Sequence, residues 1–221
     1  MNDVPDDDTL AAALARHGFE FTPQQIEHLD QYCRLLWDWN ARLNLTRHTT
    51  YDKFVGRDVL DVVQLSEELH AGEEVLDLGT GGGVPGIPLA ILRPELVISL
   101  CESVAKKAAA VDDMVQKLQL PVPVYTSRAE EVLEDMRLDA VVARAVGPLW
   151  KILFWLKDDW PSVDRLLLIK GPRWTEERGE ARHRGLMSKL ELRVVKSYPM
   201  PGADGESVIL KIWHKGRPEP M

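Results

Sequence analysis

Cysteine is scarce in this 221-residue chain, and the two that occur, Cys33 and Cys101, stand far apart among apolar neighbours. No C-x-x-C pair exists, which excludes a zinc ribbon or a disulfide scaffold and fits a reducing compartment. The six histidines are scattered, with no H-E-x-x-H or other metal-ligand spacing, so no metal is expected. Long hydrophobic runs are missing, so no segment is expected to span a bilayer or to hold the chain at a membrane. Residues 1–8 carry four aspartates and no base, whereas an export signal needs a basic start and an apolar stretch. A cytoplasmic protein is therefore expected. Excess positive charge is missing too: the formal net charge is −8, a total that by itself argues against a nucleic-acid partner.

The distribution of charge matters more than its sum. Residues 1–30 hold seven acids and one base, and residues 165–221 hold seven acids and twelve bases. An acidic head and a basic tail leave room for a local phosphate-binding face. Apolar residues at 45 % and charged residues at 28 % suit one ordinary domain, or one domain with a small appended lobe. The default oligomeric expectation is a monomer.

Four regions are expected. Residues 1–8 read as a disordered acidic tail. Residues 9–70 read as an N-terminal helical lobe: a helix over about 9–17, a second over 23–44 and a third over 51–69. Thr22, Pro23 and Gln25 form the start of the second, with a capping hydroxyl, a proline in the first turn and a glutamine three positions on. Residues 71–216 then alternate short apolar strands with helices. Strands are expected at 74–78, 97–101, 122–125, 140–143 and 166–169, with helices between them and a polar helix over 173–188. Nearly continuous apolar strands imply an α/β fold with a parallel sheet covered on both faces. Strands at 190–196 and 208–213 close it as an antiparallel hairpin, leaving 217–221 as a tail.

The informative stretch is Asp77-Leu78-Gly79-Thr80-Gly81-Gly82-Gly83-Val84-Pro85-Gly86. It follows a strand and opens a helix, where a glycine loop brings backbone against a ligand. Two ligands compete for it. Gly81-x-Gly83-x-x-Gly86 matches the dinucleotide fingerprint of a nicotinamide oxidoreductase. Asp77-x-Gly79-x-Gly81-x-Gly83 matches the S-adenosylmethionine loop, and a carboxylate at Asp77 suits a sulfonium and an ammonium better than a pyrophosphate. Glu102 ends the second strand, where a carboxylate can accept both hydroxyls of a ribose. No G-x-x-x-x-G-K-S/T phosphate loop occurs. The closing hairpin favours the methyltransferase reading, and a same-fold enzyme acting on a small molecule or protein remains the alternative substrate class.

From Leu76 through the glycine loop to Ile87-Pro88-Leu89-Ala90, the sequence resembles the signature of the small-subunit (16S) ribosomal RNA guanine-N7 methyltransferases, the glucose-inhibited division protein B family. Trp39-Asn40-x-x-Leu43-Asn44-Leu45-Thr46, Glu102-Ser103 with Lys106-Lys107, Ser127-Arg128-Ala129-Glu130-Glu131, Ala143-Arg144-Ala145 and Ile169-Lys170-Gly171 extend the resemblance over most of the chain. It implies a class I, Rossmann-like methyltransferase with a mostly parallel seven-stranded sheet. It also implies methyl transfer from S-adenosylmethionine to N7 of a guanine in 16S rRNA of the small ribosomal subunit. By the same resemblance Gly79 and Val84 contact the cofactor, Ala129 and Glu130 sit at the adenine, and Arg144 lies by the cofactor and the incoming base.

Guanine N7 already presents a lone pair, so the reaction calls for positioning rather than a general base. Arg144 is the candidate to orient the base. Arg57, Arg128, Lys170 and Arg173 are candidates for RNA phosphates, and Trp174 for stacking on a base. The remaining tryptophans mostly read as core. Cys101 reads as packing, and no cysteine follows the fourth strand to serve pyrimidine methylation. One departure stands out. The family run of arginine, histidine, two residues, aspartate and serine is here Arg57-Asp58-Val59-Leu60-Asp61-Val62, with Asp58 in place of the histidine and Val62 in place of the serine.

Overall fold

The computed structural model describes residues 8–202 and 205–220. The expected acidic tail lies outside the described residues except for Asp8. The first helices are α1 (Leu10–Arg16) and α2 (Pro23–Leu43). Thr22 caps α2 as its sequence requires: its hydroxyl accepts the Gln25 N–H at 3.3 Å and the Gln25 side-chain oxygen accepts the Thr22 N–H at 3.0 Å. Leu29, Tyr32, Cys33 and Leu36 are its buried residues, the spacing of one helix face.

The third helical stretch is not a plain α-helix. It opens as α3 (Tyr51–Lys53), widens to a π-helical segment over Phe54–Val59, and continues as α4 (Leu60–Ser66). Such widened turns gather at functional sites. Here the segment buries Asp58 among Val55, Val59 and Val62, and Asp61 one turn on.

Seven strands follow: β1 (Glu74–Leu78), β2 (Val97–Cys101), β3 (Val124–Tyr125), β4 (Leu138–Arg144), β5 (Val163–Lys170), β6 (Leu190–Pro199) and β7 (Glu206–His214). Between them lie α5 (Gly86–Leu92), α6 (Ala105–Lys117), α7 (Ala129–Asp135), α8 (Leu149–Trp155) and α9 (Trp174–His183). The sheet order is β3-β2-β1-β4-β5-β7-β6. The first five strands are mutually parallel, while β7 runs antiparallel to both β5 and β6. Because β7 is wedged between two strands, it is buried along nearly its whole length; β6, at the edge, is largely exposed and carries charged residues.

Several boundaries differ from the sequence expectation. The third strand shrinks to two residues because Pro121 and Pro123 have no N–H to give; only the Pro123 carbonyl pairs, with Leu100 N–H at 2.9 Å. The polar helix ends at His183, where Leu186 N–H returns to Ala181 O at 3.1 Å and Gly185 N–H to Arg182 O at 2.9 Å, closing its last carbonyls. Strands β4 to β7 run longer than expected, because pairing with neighbours carries on through Arg144, Arg165, Lys170 and Tyr198.

The N-terminal helices do not keep a core of their own. Leu29, Tyr32, Phe54 and Val62 share one cluster with Val75, Ala140, Val142 and Ile209 of the sheet. The opposite face packs Leu76, Val141, Leu166 and Leu210 against α7, α8 and α9. The expected tail is anchored at two points: Arg217 reaches Val163 O at 3.2 Å, and Glu219 pairs with Arg193 at 2.9 Å.

Candidate active site

The glycine loop leaves the end of β1, and its shape is set from below by Asp77. This carboxylate is fully buried; its Oδ2 accepts the Thr80 hydroxyl at 2.6 Å and the Gly86 N–H at 2.9 Å. A side chain at Gly86 would bring a Cβ within 2.1 Å of Leu100, so only glycine lets α5 start this close to the sheet. From the other side the buried Tyr32 hydroxyl donates to Gly82 O at 2.9 Å, so α2 holds the loop's outer curve.

Above the loop lies a cleft in two connected halves. The smaller, about 340 Å³, is lined by Gly79, Cys101, Ser103, Arg128, Ala129 and Glu130, among others. The larger, about 660 Å³, runs past Gly79, Gly81, Val84, Glu102 and Arg144 to His48 and Asp58. Gly79, Val146, Lys151 and Trp155 line both halves. The cleft therefore sits at the carboxyl ends of β1, β2 and β4, the place where open parallel sheets bind ligands.

Glu102 is buried and spends one lone pair on each side: Oε2 accepts the Gly81 N–H at 3.1 Å and Oε1 the Val104 N–H at 2.8 Å. A carboxylate offers about four acceptor positions, so two remain for a ligand's hydroxyls. Gly81, at φ 61, meets only the Gly79 carbonyl at 3.8 Å where a Cβ would stand. The loop thus presents bare backbone to the cleft. Ala145, at φ 56, is a non-glycine residue in the left-handed region beside Arg144, a kind of strain that clusters at ligand sites.

Arg144 ends β4 with its guanidinium between two carboxylates. Nη1 lies 2.5 Å from Asp58 Oδ1, and Nε lies 3.1 Å from Asp61 Oδ2. The Nη1 contact is an ion pair without hydrogen-bond alignment, so a buried donor is left over. Burial would lower the Arg144 pKa, but the two carboxylates outweigh it and hold the side chain charged. Asp61 is pushed up by burial despite Arg144 and despite the Tyr198 hydroxyl, which donates to it at 2.8 Å. Asp58 also bonds the His48 ring, with Nδ1 at 2.8 and 2.9 Å from its two oxygens.

Other expected residues fall in different places. Asp77 does not line the cleft; burial raises its pKa to about 6 and its role in the structure is to shape the loop. Lys170 is a correction: its Nζ is buried, 2.5 Å from Gly147 O and 2.8 Å from Glu177, and it ties β5 to α9 instead of facing solvent. Trp174 is half-buried, packs against the second core cluster and does not line the cleft. Arg57 is half-buried outside the cleft, near enough to Asp61 to lower its pKa. Arg128 and Arg173 are exposed, and only Arg128 lines the cleft. Cys101 does line it, but burial pushes its thiol up to about 12, which rules out a thiolate near neutral pH.

Sequence reasoning missed His48, Lys151 and Trp155. Trp155 sits at ordinary helical spacing and looked like core; in the structure it lines both halves of the cleft, with Lys151 Nζ 5.0 Å from its ring centroid. Asp58 carried a signal, a carboxylate on an otherwise apolar helix stripe, but its partners lie elsewhere in the chain.

The sheet order and the loop over a carboxylate-ended second strand define a class I S-adenosylmethionine-dependent methyltransferase. The model for the family described as rRNA small subunit methyltransferase G matches residues 25–202. The chain is 52 % identical over 194 residues to ribosomal RNA small subunit methyltransferase G of Rhodopirellula baltica, covering 88 % of this chain and 84 % of that one. Its identity to the protein of the same name from a Roseiflexus species is 35 % over 211 residues, covering 92 % and 89 %. Among solved structures, TrmK of M. capricolum with S-adenosyl-homocysteine superposes with a TM-score of 0.55 at 16 % identity, over 70 % of this chain and 68 % of that one. The chain belongs to the rRNA small subunit methyltransferase G family.

Among the described residues no helix is long and apolar enough to cross a membrane, and no three His, Cys, Asp or Glu side chains group as a metal site.

Proposed function

We propose that the protein transfers a methyl group from S-adenosylmethionine to N7 of a guanine in 16S rRNA of the small ribosomal subunit. It acts as a cytoplasmic monomer with no metal. The observation that carries the reading is the convergence of the glycine loop, Glu102 and Arg144 on one cleft at the ends of β1, β2 and β4. The residues present suit the cofactor: bare backbone at Gly79 and Gly81, two free acceptor positions on Glu102, and a half-cleft walled by Ala129 and Glu130.

When bound, S-adenosylmethionine supplies a methyl group activated on a sulfonium. The chain's own residues supply geometry and electrostatics. Gly79 walls the junction of the two half-clefts, Val84 lines the larger half, and Glu102 is positioned for the ribose hydroxyls. Ala129 and Glu130 take the adenine end. Arg144 is held rigid by Asp58 and Asp61, so it can orient a base without first being ordered. Two carboxylates against one guanidinium leave these three groups with no net positive charge. That suits a base that becomes cationic as its N7 is methylated. No proton leaves N7, and no side chain here needs to act as a general base.

The mouth of the cleft carries the exposed Arg47, Arg128 and Lys151 with Lys107 beside them, and these are placed for RNA phosphates. Arg173, exposed at the start of α9 shortly after the carboxyl end of β5, is a further candidate for RNA phosphates. The deciding experiment is transfer of labelled methyl to unmethylated small ribosomal subunits, followed by digestion to nucleosides. The expected label is 7-methylguanosine. No label, with cofactor binding shown separately, overturns the reading.

A further inference from the structure

His48 belongs to no recognised motif, yet its surroundings are unusually well determined. Its backbone is fixed on both sides: the carbonyl accepts the Trp37 indole N–H at 2.8 Å, and the N–H reaches Thr46 Oγ1 at 3.0 Å. Its ring is fixed by Asp58, a carboxylate only 2 % exposed, with both oxygens within 2.9 Å of Nδ1. An ionised carboxylate only accepts, so Nδ1 carries the proton, and the uncharged form of the ring has its lone pair on Nε2. Nε2 has no partner among the described residues, and the side chain, 23 % exposed, lines the cleft with Arg144, Gly81 and Val84.

Asp58 therefore orients two groups that face one cavity, a guanidinium that only donates and an imidazole nitrogen that accepts. Guanine has a matching pair of edges. N7 and O6 accept, while N1–H and the N2 amine donate. Adenine offers no donor at N1. A donor and an acceptor held rigidly in one cleft can thus distinguish guanine from adenine, because the wrong base leaves buried polar groups unpaired.

We propose that His48 is a specificity-determining residue: held by Asp58 through Nδ1, its Nε2 accepts a hydrogen bond from the N1–H and N2 edge of the target guanine, while Arg144 faces the O6 side. This rests on the guanine-N7 reading above. Asp58, which departs from the family run, is then the residue that makes the arrangement work in this chain.

The test is steady-state methylation of unmethylated small ribosomal subunits by the full chain, with product identified as 7-methylguanosine and with cofactor affinity measured separately by calorimetry. For His48→Ala, kcat/KM toward subunits falls about 10- to 100-fold, the loss expected for one buried hydrogen bond, while the cofactor Kd holds. His48→Gln recovers much of the loss, because its amide can donate to Asp58 and accept in the cleft. Unchanged kcat/KM in His48→Ala overturns the proposal. So does an equal loss in both variants together with a weakened cofactor Kd, which would make His48 a structural support. A wild-type protein that methylates no guanine overturns the functional reading itself, and that result is distinct because it needs no variant.

Discussion

Replacing Asp77 with asparagine tests whether this carboxylate is a structural burden or a stabilising anchor. It is fully buried, and burial raises its pKa from 3.8 to about 6 against the opposing pull of the Thr80 hydroxyl and the Gly86 N–H. An acid whose folded pKa lies above its unfolded value binds more protons when folded between those two pH values. Its contribution to stability is therefore full below pH 3.8 and is lost as pH rises through 6. A shift of about two units is worth about 3 kcal/mol at neutral pH. Asp77→Asn removes the titration. Its amide oxygen can still accept from Thr80 and Gly86, while its NH2 group falls where Oδ1 has no partner, a penalty of about 1–3 kcal/mol that does not change with pH. The readout is therefore the slope. In urea unfolding between pH 4 and 7 without added cofactor, the variant gains about 3 kcal/mol on the wild type as pH rises. Parallel curves for the two proteins would refute the reasoning, because they would place Asp77 in contact with water or a cation that this fold does not provide.

Gly86→Ala forces a Cβ to within 2.1 Å of Leu100 and 2.9 Å of Asp77 Oδ2; thermal unfolding should show a loss of about 3 kcal/mol with cofactor binding lost alongside. Glu102→Gln keeps the shape but can no longer accept from both Gly81 and Val104, so calorimetry should show cofactor Kd rising about tenfold with subunit KM unchanged. Arg144→Lys keeps the charge but cannot span Asp58 and Asp61; kcat should fall about 10²-fold at constant cofactor Kd, and single-turnover assays would reveal it. Lys170→Ala breaks a buried pair with Glu177, so melting temperature should drop while the salt dependence of subunit binding stays put.

The parts of the fold that were legible in the sequence are those fixed by local chemistry. β1 and β2 were read to the residue, because each is a short apolar run closed by a turn, and Thr22-Pro23-x-Gln25 is a complete helix start. Tertiary contacts were not legible. The π-helical segment at Phe54–Val59 has no sequence signature, and it is what puts Asp58 and Asp61 on the side of Arg144. Lys170 ends a strand as a phosphate-binding lysine would, yet Glu177, one helix later, claims it. Trp155 has the spacing of core, and only the packing of α8 turns it into the cleft. Proline, by contrast, was a legible reason for the short β3 that the apolar count overrode.

These placements change what the N-terminal helices are for. Tyr32 holds the glycine loop, Leu36 and Leu45 wall the cleft, and Asp58 and Asp61 clamp the arginine at the end of β4. Tyr198, far along the chain on β6, closes the same cluster by donating to Asp61. The helices and the cofactor cleft are therefore one thermodynamic unit. Cofactor at a hundred times its Kd adds about 2.7 kcal/mol to the folded state. A substitution that loosens the helices from the sheet therefore weakens cofactor binding only to the extent that it depopulates the docked, binding-competent state. This chain's departures from the family run, Asp58 and Val62, both fall inside this unit: Asp58 lines the cleft itself, and Val62 packs in the core the helices share with the sheet.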